Sequence, residues 1–493
     1  MKTSSLFATA ACLALVVATR VGAAELSAEH QNKLLKSIDA YAPQISDVAL
    51  KIWNAPEFGY QETKTTALLQ DELKRAGFRI DAGVAGIPTA FIARAGTSDG
   101  PVIAILAEMD ALPGLSQAAI PERSPILGQS AGQACGHHLF GSGAFAAAIA
   151  VKGWLEETGT QGQFRVYGTP AEEGGGGKVY MVRVGLFKDV DVTLYWHPSD
   201  ANNASQDRNL ANTSAKFRFH GQSAHAAAAP DRGRSALDGV EIMNVMVNYL
   251  REHVPQETRI HYVITNGGAA PNVVPEFAES YYYVRHPDPR VVADVFERIK
   301  KAAEGAALGT GTRVEHELIN GVYSTLPNDT LGRLMDANLR RVGGPEWTAE
   351  EMAWGERMQK SLGNRTLPAL TSFKDIRPYQ FNGQKYSSTD SGDVSWVTPL
   401  ATLNTATWVP GTASHSWQAT AAGGTGIGLK GMLVAAKTLA LTTAQLYASP
   451  DLIAAAKAEF DKSRGPGFVY KPLIDERAPP LDYRNNPSGP DGG

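Results

Sequence analysis

Five short motifs carry side chains that could do chemistry together. Glu108-Met109-Asp110 leads into Pro113. Cys135-Gly136-His137-His138 precedes an apolar stretch. Glu172-Glu173 runs into four glycines, His197-Pro198 follows Leu194-Tyr195-Trp196, and His415 lies in the polar run GTASHSW. Singly, each has a bland reading: a solvated acidic pair, a loop histidine, a packed thiol. Together they offer thiolate, imidazole and carboxylate, a soft-to-borderline donor set that suits zinc and tolerates manganese, iron or cobalt. Four or five ligands beside an unused carboxylate can hold two metals, and such a pair lowers the pKa of a bound water towards about 7. Glu172, next to a ligand, would take that proton and deliver it to a departing amine. Asp110 would accept from a ligating histidine and fix its tautomer.

The surrounding elements must bring these motifs together. Residues 102–106, 164–167 and 192–196 are apolar runs of strand length. Helical spacing of apolar residues marks 26–53, with Pro43 expected to break or kink it, and then 64–76, 137–157 and 177–184. Strands alternating with helices predict an α/β domain with a mostly parallel sheet covered on both faces. Ligands bind beyond the carboxyl ends of such strands, and four of the motifs fall there. Near residue 212 the pattern changes. Strand 216–220, helix 235–253, strands 260–265 and 279–285, helix 289–307 and strand 314–320 follow the β-α-β-β-α-β order of a ferredoxin-like module. The expected organisation is a leader over 1–23, a catalytic domain over 24–211 and 326–482, an inserted α+β lid or dimerisation domain over 212–325, and a disordered tail over 483–493. Strand 401–407 and helix 423–448 return to the catalytic domain, and 347–374 reads as a polar, helix-leaning stretch, a loop insertion.

The 493 residues allow two to three domains. With 43% hydrophobic and 19% charged residues the chain is not disordered, and a net charge of -4 leaves no basic field for nucleic acid. Lys2, an apolar run over 6–18, Arg20 and the small residues after it read as a secretory signal peptide. That run is shorter than the roughly 20 residues that cross a bilayer. A secreted or periplasmic chain without membrane contact after cleavage is expected. Cleavage removes Cys12 and leaves Cys135 alone, as a structural thiol, a nucleophile or a metal ligand.

In order, the chain reads EMDALPG, ACGHH, TPAEEGGGGK, WHP, FHGQSAHAAAAPDRG, GGAAPNVVP and GTASHSWQ. This succession resembles the metal-dependent aminoacylase and carboxypeptidase family of amidohydrolases, which includes the indole-acetyl-amino-acid hydrolases. The resemblance implies two divalent ions, zinc or manganese with cobalt also compatible, held by Cys135, His137, Glu173, His197 and His415, with Cys135 shared. It implies Glu172 as general base and acid, supported by Asp110. His225 would reach the partner subunit's active site to stabilise the oxyanion, and Asn272 and Arg285 would contact the substrate's carboxylate. A homodimer follows, with a separate A-type subunit as another assembly. The implied substrate is a small N-acyl or N-aroyl amino acid of the p-aminobenzoyl-glutamate kind, or a dipeptide. Two positions depart from the family pattern. His138 stands where Asp or Asn is commoner and is not counted as a ligand, and Glu108 stands where relatives carry His or Asp. Two other readings remain open: a cysteine hydrolase using Cys135 with His137 or His197 as base, and an inactive binding protein of the same fold.

Overall fold

A computed structural model describes residues 26–363 and 366–484. The expected leader, Cys12 and residues 485–493 lie outside the described residues. Helix α1 (Ala28–Asn54) opens on Ser27, whose side chain accepts from the His30 amide. It runs unbroken through Pro43, contrary to the expected break. Leu34, Ile38, Ile45, Val48 and Ile52 form one buried stripe on both sides of the proline, which itself is exposed. Burying those side chains, at about 1.5–3 kcal/mol each, outweighs a proline cost of about 3 kcal/mol.

Helix α2 (Thr63–Arg75) precedes strands β1 (Arg79–Ala82), β2 (Phe91–Gly96) and β3 (Val102–Ala107). Helix α3 (His137–Thr158), strand β4 (Gln163–Gly168), helix α4 (Gly177–Arg183) and strand β5 (Val192–Ser199) follow. The insert comprises β6 (Ala211–His220), α5 (Ala236–Leu250), β7 (Arg259–Asn266), β8 (Phe277–His286), α6 (Pro289–Thr310) and β9 (Arg313–Val322). The first domain resumes with α7 (Asp329–Val342), α8 (Ala349–Lys360), α9 (Ser391–Ser395), β10 (Leu400–Ala406), α10 (Trp417–Gly423), α11 (Gly426–Ala448) and α12 (Pro450–Arg464).

The main sheet has the order β1-β2-β4-β3-β5-β10. The four strands from β4 to β10 are parallel, and β1 and β2 extend one edge antiparallel. Consequently the segments after β3, β4 and β5 leave one end of the sheet together. Behind them α3 is buried nearly all round, and Gly143 lets Trp196 lie against it: a Cβ there would sit 2.8 Å from the indole. Helix α11 is apolar and long enough by composition to cross a membrane, a feature the motif pattern does not bring out. It is 78% buried over its most apolar window, packed on α1, α3 and α7, and is a core helix.

The insert forms an antiparallel sheet of order β7-β8-β6-β9. Phe217, Phe219, Ala278, Tyr282 and Val284 are buried beneath α5 and α6. Described residues of the stretch 347–374 bear out its helical leaning and correct the expectation of a plain loop. They form α8, which starts with a Thr348–Glu351 capping box, and a 3-10 turn whose Phe373 stacks on Trp347 at 3.8 Å. The polar residues face outward while Met358 is buried among Val409, Ala421 and Ile427.

Candidate metal centre

The sheet delivers each motif to the same end. Glu108 and Asp110 follow β3 and are buried. Cys135 and His137 flank Gly136, which has φ +77° at the start of α3. A Cβ on Gly136 would lie 2.7 Å from Pro198, so glycine lets this turn close on the end of β5. His197 sits inside β5 rather than after it. Glu172 and Glu173 leave β4 through Ala171, held at φ +57°. His415 also has positive φ, and its amide donates to Ala134 O at 3.1 Å.

The side chains converge. Donor atoms of Cys135, His137 and His197 lie within 4.8 Å of one another, and so do those of Cys135, Glu173 and His415. The two triads share one sulfur. His137 Nδ1 is 3.0 Å from Asp110 Oδ1, which turns Nε2 towards the cluster. His197 Nδ1 donates to Pro198 O at 2.7 Å, leaving Nε2 3.4 Å from Cys135 Sγ. Asp110 Oδ2 accepts the Glu173 amide at 2.8 Å, and Glu173 Oε1 lies 2.9 Å from His415 Nε2. His137 Nε2 and Glu173 Oε1 are buried without a well-oriented hydrogen bond. Buried polar atoms of this kind are costly unless something satisfies them, and a cation would satisfy both. The donor set therefore fits two metal ions.

Electrostatics differ between the candidate ligands. Burial pulls His137 down, but the charges of Cys135, Glu108 and Asp110 outweigh it and hold it well above the usual imidazole range, a proton that a cation would displace. Burial holds His197 down to about 3, a neutral imidazole able to ligate. Burial, then the charge of Glu173, pushes the Cys135 thiol well up; a cation at the shared sulfur would reverse this. Burial and then the carboxylates of Glu108 and Glu173 push Glu172 well above the usual range. Glu172 and Glu173 line a cavity of about 430 Å³ together with Cys135, His197 and His415.

Residues 210–310 match the model of the M20 peptidase dimerisation domain. The B component of p-aminobenzoyl-glutamate hydrolase from Escherichia coli (strain K12) is 42% identical over 448 residues, covering 86% of this chain and 93% of that one. The chain belongs to the M20 family of metal-dependent amidohydrolases. The Xaa-Arg dipeptidase of Mus musculus is 29% identical over 87% of this chain and 92% of its own. The solved aminobenzoyl-glutamate utilization protein from Klebsiella pneumoniae shares the fold, with a TM-score of 0.59 at 18% identity over 83% of this chain and 97% of its own. As a member of the family the protein is an amide-bond hydrolase.

Three expected M20 site residues are not gathered at the cluster. His225 and Asn272 are exposed on adjacent lid loops, where Asn272 O accepts the Ala226 amide at 3.0 Å. His225 Nδ1 accepts the amides of Ala227 and Ala228, so Nε2 carries the proton outward. Arg285 lies on β8, its Nη1 3.5 Å from the Ser388 hydroxyl at the cavity wall.

Conversely, the fold assembles a buried charge cluster that motif reading misses. Lys178 is fully buried on α4, its Nζ 2.8 Å from Glu108 Oε1 and 2.6 Å from Asp390 Oδ1. Glu108 Oε2 lies 3.1 Å from His137 Nε2. In the sequence, Glu108 stands out in the Glu108-Met109-Asp110 motif and as a departure from the family pattern, but not as a partner of Lys178. Lys178 closes TPAEEGGGGK and Asp390 lies 212 residues further along the chain, so only the fold reveals their proximity. The tail also differs from expectation: Tyr483 and Arg484, expected in the disordered segment, both donate to Glu173 O.

Proposed function

We propose that this M20 chain is a two-metal hydrolase of N-acyl or N-aroyl amino acids of the p-aminobenzoyl-glutamate kind, or of dipeptides. The observation that carries this reading is the pair of ligand triads sharing Cys135, with Glu172 outside both, grouped instead with Glu108 and His137 and facing the same cavity. When bound, two divalent ions would polarise the scissile carbonyl and activate a water. Cys135, His137, Glu173, His197 and His415 would hold them; zinc or manganese, and also cobalt, suit this set, and availability decides between them. Glu172 would accept the water's proton and hand it to the departing amine. Asp110 keeps His137 in the ligating tautomer. Arg285 would meet the substrate's carboxylate beyond Ser388.

A second copy of the chain completes this reading. β7 is an edge strand exposing Val263 and Ile264, and α5, packed on β8 and β6, exposes Ile242, Val245, Met246 and Tyr249. Exposed apolar side chains and an unpaired edge each invite a partner. Pairing there would carry His225 Nε2–H and Asn272 to the partner subunit's cavity, as donors to the developing oxyanion and the carboxylate. A separate A-type subunit is the other partner to be tested. The leader motif supports a secreted or periplasmic location.

The test is amine release from p-aminobenzoyl-glutamate, acyl amino acids and dipeptides, including Xaa-Arg, with manganese or zinc and with chelator. Release that chelator abolishes is expected from a few of them. Chelator-resistant release blocked by a thiol alkylator would instead establish the cysteine hydrolase. The upward shift of the Cys135 thiol runs against that mechanism, which needs a thiolate. Substrate binding without turnover in the metal-loaded protein would leave an inactive binding protein.

A further inference from the structure

The end of the described chain returns to the catalytic loop. Beyond α12 the chain crosses the body at Tyr470, whose hydroxyl donates to Asp393 at 2.6 Å, and at Lys471, whose carbonyl accepts from Tyr323 Oη at 2.7 Å. Leu473 then presses on Gly321 near the end of β9, where any Cβ would collide with the Leu473 carbonyl. The Arg477 guanidinium donates to the carbonyls of Leu318 and Ile319 in that same lid strand. Arg183 of α4 donates to Asp475 O at 2.9 Å. Tyr483 and Arg484 then reach Glu173, whose carbonyl accepts from Tyr483 Oη at 2.9 Å and from Arg484 at 2.8 Å.

The loop it grips needs holding. Ala171 is left-handed, a conformation that a non-glycine residue keeps only when its surroundings over-determine it. Glu62 Oε1 accepts the Ala171 amide at 2.8 Å, Asp110 accepts the Glu173 amide, and Tyr60 Oη donates to Gly175 O at 2.7 Å. The Tyr483 ring stands edge-on to Tyr60 at 5.7 Å, and a Cβ on Gly59 would strike its hydroxyl. The phenol is thus seated in a fitted slot beside the carbonyl that follows Glu172.

We propose that Tyr483 is a positioning residue for Glu172: the C-terminal strap, anchored on the lid strand β9 through Arg477, orients Glu172 by holding the carbonyl of Glu173, whose side chain is held independently by His415 and whose amide by Asp110. This rests on the role given above to Glu172. Misplacing a reacting group by a fraction of an ångström slows turnover more than binding, so kcat carries the effect.

The experiment compares Tyr483→Phe, which keeps the ring against Tyr60, with a chain ending at Asp482, which removes both donors. The probe is p-aminobenzoyl-glutamate with the full-length manganese-loaded enzyme as reference. The expected result is a fall in kcat of about fivefold for Tyr483→Phe and about thirtyfold for the shortened chain, with KM within about twofold. Bound metal and melting temperature stay at the reference values. A kcat within about twofold of the reference in the shortened chain overturns the proposal, as does a loss that tracks lost metal. Arg477→Met combined with Tyr483→Phe should be no slower than the worse single variant; additive losses would sever the link to the lid. Glu172→Gln, assayed alongside, separates the two readings. If it remains active, the role of Glu172 fails. If it is dead while the shortened chain is fully active, the strap alone fails.

Discussion

Glu172 and Glu62 show how burial gives two carboxyls different work. Glu172 borders the cavity and would move a proton. Glu172→Gln should therefore lower kcat by about 10²–10⁴ while leaving bound metal unchanged, as read by elemental analysis of the variant; near-reference turnover would remove its role. Glu62 faces the protein interior, and burial, followed by the charge of Asp110, pushes it up to about 8. The folded state then binds a proton that the unfolded chain releases near pH 4.5, so stability falls as pH rises from about 4.5 to about 8. Glu62→Gln preserves acceptance from Ala171 and can donate to Thr89, and should abolish this loss. Its melting temperature should exceed the reference by a few degrees at about pH 9 and match it at about pH 5; equal curves would refute the assignment. At this scale the gathering of Cys135, His137, Glu173, His197 and His415 was legible because most of their motifs fall near the ends of neighbouring elements. Lys178 and Asp390 were not, since a lysine in sequence reads as a surface residue and its partners Glu108 and Asp390 are remote along the chain.

At the scale of elements, one glycine joins two motifs. Gly136 lets the start of α3 close on Pro198 at the end of β5, bringing Cys135 and His197 to 3.4 Å. Gly136→Ala adds a Cβ where φ is +77°, a strain of about 1–2 kcal/mol before the clash with Pro198. Metal affinity should fall about 10–100-fold, measured by competition with a chelating dye. Unchanged affinity would mean that the turn can open without moving the sulfur. The periodicity of apolar residues marked α3, α11 and the order of the insert, because burial on one or all faces writes itself into spacing. It misjudged Pro43 and the 347–374 segment for one reason. In both, an exposed or polar outer face hides packing that is decided by the rest of the molecule.

At the scale of the whole molecule, His225 and Asn272, expected at the site only through resemblance, stand on exposed lid loops away from the cluster. His225 presents an outward Nε2–H from a lid loop and lines no part of the metal cavity. If the lid pairs through β7 and α5, each cavity draws Glu172 from one protomer and His225 from the other. Val263→Glu with Tyr249→Lys should then yield a monomer by analytical ultracentrifugation, with turnover lost although the metal remains bound. A mixing experiment separates loss of assembly from loss of fold. Glu172→Gln and His225→Ala are each expected to be inactive as pure dimers. After exchange of protomers at equal concentrations, half of the dimers are mixed, and each mixed dimer has one cavity with both residues intact. Activity should return to about a quarter of the reference. Failure to recover any activity, with exchange verified by differently tagged chains, would show that His225 acts within its own chain or not at all.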